Sequence, residues 1–137
     1  MADSLPTLIK LAAYKVEQAQ QALAFAQRTE EDAYQTLLNW QQAGPRGYQT
    51  AFSGDDINHI TNAGTFLKKA KEEEEKARIT HKQRQKETEA ARQILSVAFA
   101  GQKRYELLHQ KHLQLARKTL QKKQQAALED VTSQKRG

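Results

Sequence analysis

The residues whose spacing best suits chemistry are Glu106, His109 and His112. On a helix, residues at every third position lie on neighbouring turns, so a carboxylate and two imidazoles could act together as metal ligands. A di-iron helical bundle needs a second motif of this kind and two further carboxylates, and the sequence contains neither. We therefore favour solvated or partner-contacting histidines and predict no metal site.

Other catalytic constellations find little support in the sequence. The chain has no cysteine, which excludes disulfide scaffolds, thiol catalysis and cysteine-based zinc sites. His59 and His81 are isolated, and neither a glycine-rich phosphate loop nor a nucleophile elbow occurs. We expect no enzymatic activity and no cofactor.

The composition predicts an all-α protein. The 137 residues include only six glycines and two prolines, 38% are hydrophobic, and no segment alternates with period two. The turn-forming residues cluster between Gln42 and Asp56. We predict one coiled-coil domain over 1–137, with helix one over about 5–43, a tip loop over about 44–55, helix two over about 56–131 and a frayed tail over 132–137.

Both predicted helices carry apolar residues at alternating spacings of three and four, the pattern of a coiled-coil seam. In helix one the seam comprises Leu5, Ile9, Ala12, Val16, Ala19, Leu23, Ala26, Glu30, Ala33, Leu37 and Trp40. In helix two it comprises Ile60, Ala63, Leu67, Ala70, Glu74, Ala77, His81, Arg84, Thr88, Ala91, Leu95 and Ala98. The fold class predicted is an antiparallel coiled-coil hairpin of two long helices, the second longer and ending in a C-terminal overhang.

The predicted overhang begins at about residue 96 and carries the whole net charge of +6. Residues 96–137 contain nine basic and three acidic side chains, whereas residues 1–95 contain 13 of each. Several leucines accompany the cations, and such apolar surface is unfavourable in water. We favour an acidic protein partner that has an apolar binding surface. Self-association, nucleic-acid binding and a membrane-surface helix are the alternatives.

Other candidate surfaces are aromatic or acidic. Trp40, Tyr48, Phe52 and Phe66 gather near the predicted tip, either as caps of the core or as a recognition site. Leu11, Tyr14 and Phe25 lie away from the seam, as a second binding stripe or as scattered surface residues. The acidic run 72–75 is flanked by lysines, which favours a solvated face with local ion pairs over a docking site for a basic partner.

Four segments together resemble the FliJ/YscO family, the small coiled-coil proteins of flagellar and type III secretion export machines. They read LPTLIKLAAYKVEQAQQALAFAQ, LNWQQAGPRGYQTAF, INHITNAGTFLKKAKEEEEKA and KRYELLHQKH…ARKTLQKKQQAALEDV. The resemblance covers nearly the whole chain. It departs from the family at Gly44-Pro45-Arg46-Gly47, where the stretch is usually more helical, and at Ala70, where a larger apolar residue is common.

The resemblance implies a non-catalytic coupling protein similar to the central stalk of rotary ATPases. Its expected partners are the hexameric export ATPase, the cytoplasmic domain of the export gate and the export substrate chaperones. It implies a cytoplasmic protein peripherally associated with the inner-membrane export apparatus, without membrane insertion and without nucleic acid. The chain start Met1-Ala2-Asp3-Ser4 carries no feature of a secretory signal, which agrees with that location.

Two sets of site residues follow from that resemblance. The gate-facing aromatics correspond to Tyr48, Phe52 and Phe66, with Trp40 beside them. For the ATPase-binding surface of helix two we choose Tyr105, Leu108, Lys111, Leu113, Arg117, Lys118, Leu120 and Lys122.

Overall fold

Two helices make up the fold, α1 over Ser4–Phe52 and α2 over Ile57–Arg136. The computed structural model describes the backbone of residues 4–52 and 57–136 and the side chains of residues 4–47, 49 and 61–135. The helices pack against each other as an all-α hairpin, and α2 is the longer, with 80 residues against 49. This confirms the predicted fold class. Neither described helix has an apolar stretch long enough to cross a membrane.

The predicted end of helix one at about residue 43 is wrong, because α1 continues through Pro45 to Phe52. An interior proline removes one backbone donor and its ring clashes with the carbonyl four residues earlier, at a cost of about 3 kcal/mol, so packing elsewhere in α1 must offset that cost for the helix to continue. Across this turn Arg46 Nη2 donates to Gln42 Oε1 at 3.4 Å. None of the described glycines has a positive φ, so Gly44 and Gly47 are helical residues and not turn residues.

The C-terminal boundary also lies further along the chain than predicted. Helix α2 ends at Arg136 instead of about residue 131. The last residues, including Gln134 and Lys135, have ordinary helix propensities. Nothing in their composition therefore requires the helix to stop at residue 131.

The packing divides into two compact units, and each unit contains a segment of both helices. Unit 2 consists of residues 18–96. Within it Thr88 lies opposite Ala26 and the ring of His81 lies 5.4 Å from that of Tyr34, so the two chain segments run antiparallel. The buried layer consists of small side chains with one leucine, namely Ala19, Ala26, Leu37, Ala70 and Ala77, together with Thr88.

Unit 1 consists of residues 1–17 and 97–137. Its described α1 segment buries Leu5, Ala12 and Val16 against α2. On α2 the half-buried positions are Ala98, Gly101, Gln102, Tyr105 and His109. From residue 110 to 135 every side chain is exposed, because α1 begins at Ser4 and has no segment opposite them.

Candidate partner-binding surfaces

The unpaired part of α2 begins at about residue 110, not at about residue 96 as predicted. Helix α1 extends nine residues beyond its predicted end, to Phe52, and only four residues separate it from α2. In unit 1 the pairing extends through Tyr105 and His109, which are both half-buried.

The residues chosen for ATPase binding thus fall into two groups. Tyr105 is half-buried and lies in the wall of a groove against α1. The other apolar members, Leu108, Leu113 and Leu120, are 43%, 47% and 57% exposed. The basic members are exposed too and make no ion pair with a described residue: Lys111, Arg117, Lys118 and Lys122. Seven of the eight predicted residues are therefore available to a partner.

A second surface surrounds Trp40 in unit 2. Trp40 is half-buried beside a groove of about 590 Å³. The groove is widened by two small residues, Gly44 on α1 and Ala70 on α2. Its lining comprises Trp40, Gln41, Gly44, Pro45, Gln49, Leu67, Ala70, Lys71 and Glu74. Pro45 lies next to Gly44 and also lines this groove.

Phe66 lies beside the same region and depends on Gly47. Its side chain is 42% exposed. A Cβ atom added at Gly47 would lie 2.6 Å from Cε1 and 2.7 Å from Cδ1 of the Phe66 ring. Gly47 is therefore the residue that lets this ring lie on α1, a role that its position in a turn-like sequence did not reveal. The side chains of the predicted gate-facing pair Tyr48 and Phe52 lie outside the described residues.

The proposed second stripe is exposed at each of its residues. In unit 1 Leu11 is 47% exposed and Tyr14 is 55% exposed, and Leu11 also lines the groove that contains Tyr105. In unit 2 Phe25 is 63% exposed. The groove residues Val97 and Gly101 were not among the predicted binding residues. The residue spacing could have indicated them, because they begin a row of residues along one face of α2.

The middle of unit 2 contains polar residues that form hydrogen bonds within α2 and with α1. Thr88 is only 1% exposed, and its hydroxyl lies 3.0 Å from the carbonyl of Arg84 and 3.3 Å from that of Ala26 on α1. Arg84 Nη1 donates to Glu87 Oε2 at 2.9 Å. This hydrogen bond holds the pKa of Glu87 below its usual value, against a smaller opposing effect of desolvation.

The acidic run 72–75 is engaged along its own helix. Glu73 pairs with Lys76 at 3.4 Å, and Arg78 contacts Glu74 at 3.1 Å and Glu75 at 3.5 Å. Local pairs at these spacings each contribute only about 0.2–0.5 kcal/mol. Glu72 and Glu75 are exposed, as a solvated face predicts, but Glu73 and Glu74 are half-buried, so the run is not solvated throughout.

Among residues 4–52 and 57–136, no three His, Asp or Glu side chains are arranged to hold a metal ion.

Compared with models of known protein families, with curated proteins and with solved structures, the chain shows no significant match.

Proposed function

We propose that this protein is a non-catalytic component of a flagellar or type III protein export apparatus. In this proposal it binds the export ATPase ring, couples that ring to the export gate and escorts substrate chaperones. The observation that carries the proposal is the fully exposed segment 110–135 of α2, which combines leucines with an excess of cations. The resemblance of four sequence segments to the FliJ/YscO family supplies the identity of the partners.

The proposed contact with the ATPase uses the exposed leucines as apolar anchors and the cations as partners for acidic loops. Removing apolar side chains from water drives the association, at about 25 cal/mol per Å² of buried apolar surface before the entropic cost of association is subtracted. The cations increase the association rate and select an acidic partner. Leu113 and Leu120 with Lys111 and Lys118 are central to this contact, and we expect peripheral association with the membrane-bound apparatus through the partners alone.

Binding of the purified export ATPase to the full-length chain and to a chain ending at Gln110 tests this contact. Among the α2 residues whose side chains the structure describes, the shorter chain keeps every one that is buried or half-buried. We expect it to lose ATPase binding in calorimetry while its helices remain paired. The control, Leu128→Ala with Val131→Ala, changes exposed residues beyond Lys122, the last of the residues chosen for the ATPase contact, and should bind as the wild type does. Unchanged affinity of the shorter chain would contradict the proposal.

The proposed contact with the export gate uses the aromatic surface of unit 2. Phe66→Ala should weaken binding of the gate's cytoplasmic domain at least tenfold, because an aromatic anchor often dominates an interface. Ile79→Ala is the control, since Ile79 is 62% exposed in the same unit but lies further along α2, away from Gly47 and the groove. Equal affinities of the two variants would remove Phe66 from the contact.

A self-associating structural coiled coil is the alternative function. The exposed residues Leu113 and Leu120 are seven apart, as in the seam of a helix dimer. Sedimentation of the pure protein separates the two functions, because a stable dimer at micromolar concentration favours self-pairing and a monomer favours an external partner. Binding of DNA or RNA with a steep salt dependence would instead indicate a nucleic-acid binder.

A further inference from the structure

A groove of about 250 Å³ lies between α1 and α2 in unit 1, beside Gly101. One wall is lined by Leu8, Leu11, Ala12 and Lys15, and the other by Val97, Ala98 and Tyr105. Glycine in a helix interior costs about 1 kcal/mol relative to alanine. A Cβ atom at Gly101 would meet nothing within 4 Å, so packing between the two helices does not require the glycine. The missing side chain instead leaves open space that neither helix fills.

A continuous row of residues leads from this groove along α2. Its spacings alternate between four and three, so the row occupies one face of the helix. The row comprises Val97, Gly101, Arg104, Leu108, Lys111, Leu115, Lys118 and Lys122. It lies beside the face that packs on α1, which contains Ala98, Gln102, Tyr105 and His109. The row is open to a further helix, since Val97 is 72% exposed and Leu115 is 61% exposed.

The charges on this row define its complement. Arg104, Lys111 and Lys118 are seven residues apart and alternate with Leu108 and Leu115, and the row contains no acidic residue. None of these three cations forms an ion pair with any residue in the described part of the chain. A second copy would bring the same cations into a shared seam, and unpaired charges in an interface are costly. The complementary surface therefore combines apolar residues with carboxylates at the heptad spacing.

We infer that unit 1 binds an acidic amphipathic helix of a partner protein as a third helix. An apolar side chain of that helix enters the groove at Gly101, its next apolar residues contact Leu108 and Leu115, and its carboxylates pair with Arg104, Lys111 and Lys118. The inference rests on the proposed function in one respect, that α2 binds a protein. It adds the secondary structure of the bound element and the face of α2 that binds it.

The probe is a synthetic labelled peptide of three heptads, with leucine at one seam position, glutamate at the other, and alanine and glutamine elsewhere. Its fluorescence anisotropy is measured with the full-length chain. We expect saturable binding, and no binding of a peptide in which lysine replaces each glutamate. Equal binding of the lysine peptide, or no binding of the acidic peptide, would overturn the inference.

Filling the groove tests the role of Gly101. Gly101→Met should weaken peptide binding at least tenfold, and Gly101→Ala should weaken it less. Gly64→Met is the matched control, because Gly64 is also inside α2 and a Cβ there also meets nothing within 4 Å. Both methionine variants should gain helix stability, as circular dichroism can verify, so a loss confined to Gly101→Met assigns the effect to the groove. Equal affinities would contradict it.

Charge reversal tests the row. Lys111→Glu with Lys118→Glu should weaken binding of the acidic peptide at least tenfold. Lys103→Glu with Lys135→Glu makes the same change in net charge away from the row and should have a small effect. Equal losses of affinity in the two double variants would show that the peptide responds only to net charge, and would overturn the inference. A dimer seen in sedimentation would also overturn it if the Lys111→Glu and Lys118→Glu changes alter that dimer.

These results separate the inference from the proposed function. If the acidic peptide binds at the row and the export ATPase does not bind the chain, the third-helix site is supported and the proposal that the export ATPase is the partner is contradicted. If the ATPase binds and the peptide does not, the proposed function stands and the third helix is excluded.

Discussion

At the scale of single residues, small side chains decide where the helices approach and where space is left. Gly47 has the ring of Phe66 against it, whereas Gly44 and Gly101 have nothing within 4 Å of an added Cβ atom. The sequence alone cannot distinguish these glycines, because all three are helical and none has a positive φ. Their roles follow from the neighbouring helix.

Replacing Gly44 and Gly47 separately measures this difference. Gly44→Ala should raise the free energy of unfolding by up to about 1 kcal/mol, because alanine favours the helix and meets no neighbour. Gly47→Ala should gain less or lose stability, since the new methyl group must displace Phe66. Urea unfolding of both variants checks the prediction, and equal gains would show that the Phe66 ring moves at no cost.

Thr88 is the buried polar residue of the described core, and its hydroxyl bridges two helices. Thr88→Val keeps the shape and should cost less than about 1.5 kcal/mol, the usual range for one hydrogen bond. The Ala26 carbonyl keeps a second hydroxyl donor, Thr29 Oγ1 at 2.9 Å, so the loss leaves it partnered. Thr88→Leu should cost about 1–3 kcal/mol, since the small layer around Ala26 has no room for it. Thermal unfolding distinguishes the two, and a lower cost for leucine would contradict this packing.

At the scale of the helices, the described charged residues of α2 form ion pairs mainly with other residues of α2 and not with described residues of α1. The pairs of Arg84 with Glu87 and of Arg78 with Glu74 join residues three or four apart. Such pairs support a helix but do not select its partner or its register. The contacts between helices depend instead on the apolar seam.

The Arg84–Glu87 pair predicts a small dependence of stability on pH. The pKa of Glu87 is lowered below 4.5 in the folded chain, so the pair contributes its stability above the unfolded value. That contribution is lost as the pH falls below 4.5 and through the folded pKa. The stability of Glu87→Gln should therefore fall less than that of the wild type over the same interval. Urea unfolding at pH 7 and at pH 3 checks this, and identical pH dependence of both proteins would contradict it.

At the scale of the whole molecule, the paired and unpaired parts of α2 have different roles. Residues that face α1 support the fold, and residues 110–135 bury nothing against the described residues. Deletions on either side of this boundary should therefore differ in their effect on stability.

A chain that ends at Gln110 should unfold within a few degrees of the wild type. A chain that ends at Ser96 should be clearly less stable, because Leu5, Ala12 and Val16 lose the α2 segment that buries them. Burial of a side chain such as valine or leucine contributes about 1.5–3 kcal/mol. Circular dichroism during heating tests both chains. A large destabilisation at Gln110 would show that residues 111–135 support the fold.

The residue spacing alone determined which faces of the helices are buried. All eleven seam residues predicted in α1 are buried or half-buried, and so are the eleven described members of the α2 seam. Burial of a helix face depends on a local period, which any short segment displays. The all-α class and the concentration of charge in α2 follow from composition in the same way.

Only the tertiary structure decided the register and, with it, the candidate sites. A heptad seam rich in alanine permits several registers that differ by whole repeats, so its period cannot place the end of α1 opposite a particular residue of α2. The continuation of α1 through Pro45 and the layer formed by Ala26 and Thr88 set that register. Within unit 1, by its own contacts, Tyr105 packs against α1, the free segment begins at about residue 110, and Gly101 lies beside an open groove. These features depend on contacts between residues far apart in the chain, which the spacing along one helix does not contain.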